Sequence, residues 1–152
     1  FVTMMLALVG IGFTVGNTIG GKMADRSVDR TILFFLAVEA ATMVAFPWLA
    51  ATKAGAAIGL FVWSAAAFAL VPPVQMRVMR AASEAPGMAS SVNIGAFNLG
   101  NAIGAALGAA ILNAGMAYPA VLFGGAAMSL LALLLVAWAA NSKSAALPSA
   151  AA

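Results

Sequence analysis

The stretch Pro119–Ala140, PAVLFGGAAMSLLALLLVAWAA, carries no charged side chain. An apolar helix of ~20 residues crosses the ~30 Å hydrocarbon core of a bilayer, so this segment reads as a membrane span. Charges and turn residues cut the preceding chain into four more segments of the same kind. The first runs from about Val2 to Gly21 and ends at the charged run KMADRSVDR. The second runs from about Thr31 to Ala51, stopping near Lys53. The third runs from about Ala56 to Met79 and is interrupted late by Pro72-Pro73. The fourth starts after Pro86-Gly87 and ends near Asn113-Ala114-Gly115. Backbone polar groups in lipid must bond within the segment, so the expected fold class is all-α and polytopic, with five transmembrane helices.

Composition agrees with that reading. The chain has 152 residues, 64% hydrophobic and 7% charged, with a mean hydropathy of +1.08. A soluble domain is nearer ~45–50% apolar and ~25% charged. The net charge of +3 comes from a few loop residues, which argues against nucleic-acid binding. The absence of Cys and His removes disulfides, thiolate or imidazole metal sites and every Ser-His or Cys-His mechanism. No phosphate-binding loop of the G-x-x-x-x-G-K-[ST] type is present. The reading is therefore of a non-enzyme with no cofactor and no metal.

Lys and Arg in successive connections, from the first loop to the tail, number three, one, two, none and one. One side thus holds Lys22, Arg26, Arg30, Arg77, Arg80 and Lys143, and the other holds Lys53. By the positive-inside rule the richer side and the C-terminus are cytoplasmic. Trp48 and Trp138 sit near opposite span ends as interfacial anchors, whereas Trp63 lies deeper and reads as packing. The segment 141–152, NSKSAALPSAAA, is expected to be a disordered cytoplasmic tail. Five spans are one short of a six-helix transporter half, and the chain opens at Phe1. Residues 1–140 are therefore expected to be an incomplete half that has lost an upstream helix.

The first loop, with Gly21, Asp25, Arg26 and Arg30, resembles the G-x-x-x-D-[RK]-x-G-[RK]-[RK] signature of the major facilitator superfamily. Val28 and Asp29 depart from it, standing where the family has Gly and a base. Downstream, Gln75-Met76-Arg77-Val78 and Asn98-Leu99-Gly100, with repeated glycines, resemble the tenth-to-eleventh helix region of the drug/proton antiporter and arabinose-efflux branch. The resemblance covers about Gly10 to Ala140 and would make the five spans the eighth to twelfth of a twelve-helix transporter, and residues 1–140 its incomplete C-terminal half. It implies proton-coupled efflux of small molecules by alternating access, with a small-molecule substrate, protons, the bilayer and a missing N-terminal half as partners. It also implies that Asp25 caps a neighbouring helix terminus, with Gly21, Arg26 and Arg30 completing a cytoplasmic gate loop that can also touch lipid headgroups. A plain loop of solvated charges is the alternative.

Gly100, Gly104 and Gly108 recur every fourth residue and are expected to let another helix approach closely. Asn98 and Asn101 flank that stripe, and Thr14 and Asn17 give the first span a similar polar spot. With the family's lining helices as a guide, Phe13, Thr14, Asn17, Phe97, Asn98 and Asn101 become substrate-cavity candidates; the alternative for the asparagines is a hydrogen bond to a neighbouring helix. Pro72 and Pro73 remove two backbone donors and mark a bend, a candidate hinge, with Gln75 and Arg77 following it toward the gate. Glu39 is the one ionisable residue at mid-span, where charge is costly, and is a candidate proton carrier; a structural, interhelically bonded Glu is the alternative. Two other functional classes compete with transport. One is a small assembly or regulatory membrane subunit docking through the glycine stripe. The other is a Mg-dependent membrane phosphotransferase, suggested by Gly21, Asp25 and Asp29 but lacking the upstream D-G-x-x-A-R half of that motif.

Overall fold

The computed structural model describes residues 2–145, with the side chains of Pro86 and of residues 143–145 outside the description. Six α-helices follow one another: α1 (Val2–Ala24), α2 (Val28–Leu49), α3 (Lys53–Ala69), α4 (Val71–Ala81), α5 (Pro86–Asn113) and α6 (Tyr118–Ala145). The third and fourth run on as one apolar segment, Lys53–Ala81, so the described residues contain five helices long and apolar enough to cross a membrane.

Local chemistry sets the ends of these helices. Ser27 begins α2 in extended conformation, and its Oγ accepts from the Arg30 backbone N–H at 3.4 Å. Thr52 does the same for α3, accepting from Gly55 N–H at 3.0 Å. At the end of α5, Gly115 takes a φ of +77°, Gly115 N–H bonds Leu112 O at 3.0 Å, and Met116 N–H bonds Ile111 O at 3.3 Å. This six-to-one and five-to-two pair satisfies carbonyls that the helix leaves open, and glycine reaches that φ without a Cβ clash. At Pro72-Pro73 the chain stays right-handed through Leu70 (φ −77°, ψ −24°), and the prolines occupy the first turn of α4. The expected bend is therefore a junction between two helices, where the absent N–H groups cost least.

Some boundaries differ from expectation. The charged run is mostly helical: α1 continues to Ala24 and α2 starts at Val28, leaving a turn at 25–27. Helix α6 continues five residues past Ala140, because nothing in Asn141–Ala145 breaks a helix. The rest of the expected tail, 146–152, lies outside the described residues.

Packing centres on α2, which touches α1, α3, α4 and α6. Its Val28, Ile32 and Leu36 fall one turn apart and bury with Ala24 against Leu70, Val74, Leu133 and Val136. Helix α1 packs chiefly on α3, and among the described helices α5 touches only α4 and α6. Many large apolar side chains point outward, among them Leu6, Phe34, Leu134 and Leu135. In a bilayer that outward face meets acyl chains, so it carries no penalty. Trp48 and Trp138 are both exposed, as anchors near span ends should be.

Candidate functional site

At the end of the bundle that carries the 22–30 segment, three helices are tied together by polar side chains. Arg77 Nη1 of α4 lies 2.9 Å from Asp29 Oδ1 of α2. Gln75, on nearly the opposite side of α4, donates through Nε2 to Ser90 Oγ of α5 at 3.1 Å and accepts at Oε1 from Asn93 Nδ2. Asn93 is buried at 7% exposure, so its amide depends on that partner. The short amphipathic α4 thus holds α2 by charge and α5 by amide hydrogen bonds. Gln75 and Arg77, expected from the sequence to follow the bend toward the gate, reach Ser90 and Asn93 of α5 and Asp29 of α2, respectively. Asn93 and Ser90 are not among the sequence-based candidates, although Asn93 lies two turns before Gly100 on the same helix face.

Asp25 caps no helix terminus among the described residues. It is exposed in the turn and makes no hydrogen bond or ion pair through its side chain among the described residues. The α2 cap is Ser27, and the start of α5 has no side-chain cap. Asp29, which departs from the signature, is the carboxylate that engages a cation. The two aspartates are also not one helical turn apart, because the turn at 25–27 separates them; that arrangement removes the geometry a shared cation would need. Among the described residues no three His, Cys, Asp or Glu side chains cluster. Arg26 and Arg30 line a pocket of about 360 Å³ with Met23, Ser27, Thr31 and Phe34. Gly21 stands near Pro72, at a distance where an added Cβ would meet the proline Cβ only at 4.0 Å.

The Asp29–Arg77 pair is partly solvated, with side chains 42% and 23% exposed. An ion pair in such a setting contributes ~0.2–1 kcal/mol. A double-mutant cycle with Asp29→Asn and Arg77→Gln in the full chain should give a coupling energy of at most about 1 kcal/mol, read from unfolding in detergent. A coupling above about 2 kcal/mol would mean that the pair is far better shielded than its exposure indicates.

The expected cavity residues sit on two helices that do not touch. Thr14 and Asn17 are exposed on α1; Phe97, Asn98 and Asn101 are exposed on α5. Thr14 Oγ1 donates back to Gly10 O at 3.2 Å, whereas Asn17, Asn98 and Asn101 make no side-chain hydrogen bond among the described residues. Phe13 is placed otherwise: its ring stacks on Phe68 of α3 with centroids 3.7 Å apart. All three amides fall in the inner part of membrane-length helices and face out of the bundle.

The glycines divide sharply. Among the described residues, no atom beyond the local backbone of α5 lies within 4 Å of where a Cβ would stand on Gly100 or Gly104, and Gly108 meets only Val121 at 3.5 Å. Instead they border an apolar cavity of about 550 Å³ between α2, α3, α5 and α6, with Phe46, Trp63 and Met128 on its walls. The close approach occurs on α1. A Cβ on Gly16 would stand 2.0 Å from Ala65 O, one on Gly20 2.1 Å from Ala69 O, and one on Gly12 2.0 Å from Ser64 Oγ. The same four-residue repeat is therefore used for helix contact at 12, 16 and 20, a stripe that is not among the sequence-based candidates. Glu39, at mid-span in α2, accepts from Ser129 Oγ of α6 at 3.4 Å, a contact between the two helices.

Five apolar spans, cross-linked by side chains at one end and carrying outward amides in their inner part, define a polytopic α-helical membrane protein. The chain is 59% identical over 143 residues to the inner membrane transport protein YdhP of Escherichia coli O157:H7, covering 94% of this chain and 37% of that relative. It is 32% identical to the MFS-type transporter YfhI of Bacillus subtilis, over 91% of this chain and 35% of the relative. A probable sugar efflux transporter of Helicobacter pylori shares 26% identity over 86% of this chain and 33% of the relative. The chain spans about a third of the length of these relatives. No protein-family model matches it, and neither does any solved structure. Over the stretch it spans, the chain is a homologue of major facilitator superfamily transporters, and these relatives are transporters rather than enzymes.

Proposed function

We propose that the chain is the C-terminal part of a secondary transporter that moves small molecules, sugars among them, out of the cell by alternating access in exchange for protons. The likeness to YdhP along 94% of the chain carries this reading. The outward amides support its geometry: an unpaired Asn facing hydrocarbon is costly, and a polar pathway or a facing helical half relieves that cost. Asn17, Asn98 and Asn101, with Thr14, would line one wall of the pathway, and Phe97 would offer it an apolar surface. Phe13, held in its stack with Phe68, would brace that wall rather than line it. The helices absent from this chain would supply the opposite wall, and the substrate would bind between the halves.

The end that carries the basic residues would face the cytoplasm, with the C-terminus on that side, in a bacterial inner membrane. There α4 would act as a strut, its Asp29 and Asn93 contacts holding α2 and α5 while the segment following Gly21, with Asp25, Arg26 and Arg30, meets the other half. The Pro72-Pro73 junction would let α4 tilt with the gate. Glu39 is better placed to link α2 with α6 through Ser129 than to carry a proton along a pathway lined by α1 and α5.

The test is transport by the complete protein in everted membrane vesicles. Asn98→Leu with Asn101→Leu should lower proton-driven uptake at least tenfold at unchanged membrane abundance. Uptake within twofold of the parent would remove these residues from the pathway. Glu39→Gln should leave uptake within twofold; a tenfold loss at normal abundance would return Glu39 to a coupling role.

A further inference from the structure

The rings of Phe13 and Phe68 meet at the middle of their spans. Phe13 is the central residue of the 23 in α1, and Phe68 lies one position past the centre of the span Lys53–Ala81. The ring planes are 22° apart and the centroids 3.7 Å apart. Phe13 is half-buried and Phe68 is 38% exposed, so Phe68 gives one face to its partner and keeps open surface beyond it. Packing beside the rings is tight: Gly12 and Gly16 bring α1 against Ser64 and Ala65 of α3, on the faces that adjoin the two phenylalanines. Asn17 follows Phe13 by one turn, ~40° round the helix and ~6 Å along it. It is exposed and makes no side-chain hydrogen bond among the described residues. A bare phenyl ring at this depth meets acyl chains at no cost, but an open amide beside it does not. Together they offer a flat apolar surface with a donor and an acceptor at its rim.

Charge narrows what this surface suits. Helix α1 has no charged residue before Lys22, the third span has none between Lys53 and Arg77, and α5 has none at all. Glu39, the acid at mid-span in α2, is turned to Ser129 of α6. An ion brought to this depth would lose its hydration and meet no opposite charge, which is far costlier than burying a hydrogen-bonded neutral group. We propose that Phe68, held in place by Phe13, is the platform on which an uncharged, ring-shaped substrate stacks at the bilayer midplane, with Asn17 bonding the polar edge of that ring. The inference rests on the transport reading above, which places the substrate between two helical halves. A pyranose, through its C–H face, and a planar aromatic ring share the required chemistry: a flat apolar face, a hydrogen-bonding rim and no net charge. Phe68 is the residue that touches substrate. Phe13 is a positioning residue, because a ring already oriented by its stack loses less freedom when the substrate arrives.

Equilibrium binding to the complete protein in membranes, without a proton gradient, tests it with two matched pairs of radiolabelled probes. Methyl β-glucopyranoside is set against methyl β-glucuronopyranoside, and para-hydroxybenzamide against para-hydroxybenzoate; each pair differs by a carboxylate. At least one uncharged probe should bind, about tenfold or more tightly than its charged counterpart. Binding of the glucoside alone assigns a pyranose, and binding of the benzamide alone an aromatic ring. Phe68→Leu, which keeps apolar bulk and removes the ring, should weaken that binding about tenfold, and Phe68→Tyr should stay within about twofold. Phe13→Leu should weaken it about threefold, with no further loss when added to Phe68→Leu, and Phe13→Tyr should restore it. An additive loss in the double variant would take Phe13 out of the platform. The platform is overturned if neither uncharged probe binds, if a carboxylate binds as tightly, or if Phe68→Leu stays within about twofold of the parent, which would leave Phe68 facing lipid. Proton-driven uptake of the bound probe separates the two readings. Binding that depends on Phe68 without such uptake would fail the transport reading and keep the platform, whereas uptake indifferent to Phe68→Leu would do the reverse.

Discussion

Gly16→Leu should separate α1 from α3 and destabilise the chain by about 3 kcal/mol, at the upper end of what overpacking a tight contact costs. The Cβ alone would stand 2.0 Å from Ala65 O, 2.7 Å from its carbonyl carbon and 2.8 Å from its Cα. These are backbone atoms of a helix and cannot turn aside as a side chain could. Gly16→Ala should already lower the unfolding temperature in detergent, and leucine should add exposure of α1 to protease. The control is Gly104→Ala on α5, where nothing lies within 4 Å of the new methyl group. That substitution should be neutral or stabilising by up to ~1 kcal/mol, since alanine is the better helix former. Both stripes are glycine every fourth residue, so their sequence pattern predicts equal effects. A similar loss at both positions would mean that α5 is packed by its glycines after all.

Gln75→Leu should release α5, the second large effect. Among the described helices it touches only α4 and α6, and the described hydrogen bonds from its side chains to another helix both go to Gln75. Leucine leaves Asn93, at 7% exposure, with an amide and no partner, at a cost of ~1–3 kcal/mol. Interhelical hydrogen bonds in membranes average nearer ~0.6 kcal/mol, reaching ~2, so a loss of about 2 kcal/mol is expected for the two together. Hydrogen exchange of the full chain in detergent would read it: residues 88–113 should exchange about thirtyfold faster, while α1 and α3 keep their protection. Gln75→Asn with Asn93→Gln, which moves one methylene across the pair, should restore part of the protection. Uniform acceleration across all helices would mean that Gln75 supports the bundle as a whole and not α5 in particular.

Much of the candidate site is visible in the sequence as residue type, and little of it as partnership. Asp29 and Arg77 are 48 positions apart in the chain, and no local pattern says that one meets the other. The signature resemblance points to Asp25 instead, because Asp25 matches it while Asp29 does not. The capping residue is Ser27 for a local reason: it precedes the first apolar turn of α2, in the extended conformation from which a hydroxyl reaches the N3 amide. Asn93 does not stand out in the sequence because Asn98 and Asn101 share its residue type and helix. Burial separates them, and burial depends on where Gln75 stands.

By itself the sequence determined the membrane, the five spans and their approximate ends, since hydrocarbon requires long apolar stretches with every backbone group bonded inside its own helix. It determined the turn at Gly115 and the junction at Pro72-Pro73 for equally local reasons, a permitted positive φ and missing backbone donors. Only the tertiary structure decided which glycine stripe bears a helix, which acid meets a base and which amide is buried. Each of those depends on how helices distant in sequence are rotated about their axes, and in a chain that is apolar nearly all round, hydrophobic periodicity is too weak to set that rotation. Contacts between backbone, small side chains and a few polar groups set it instead, and they exist only once the helices have met.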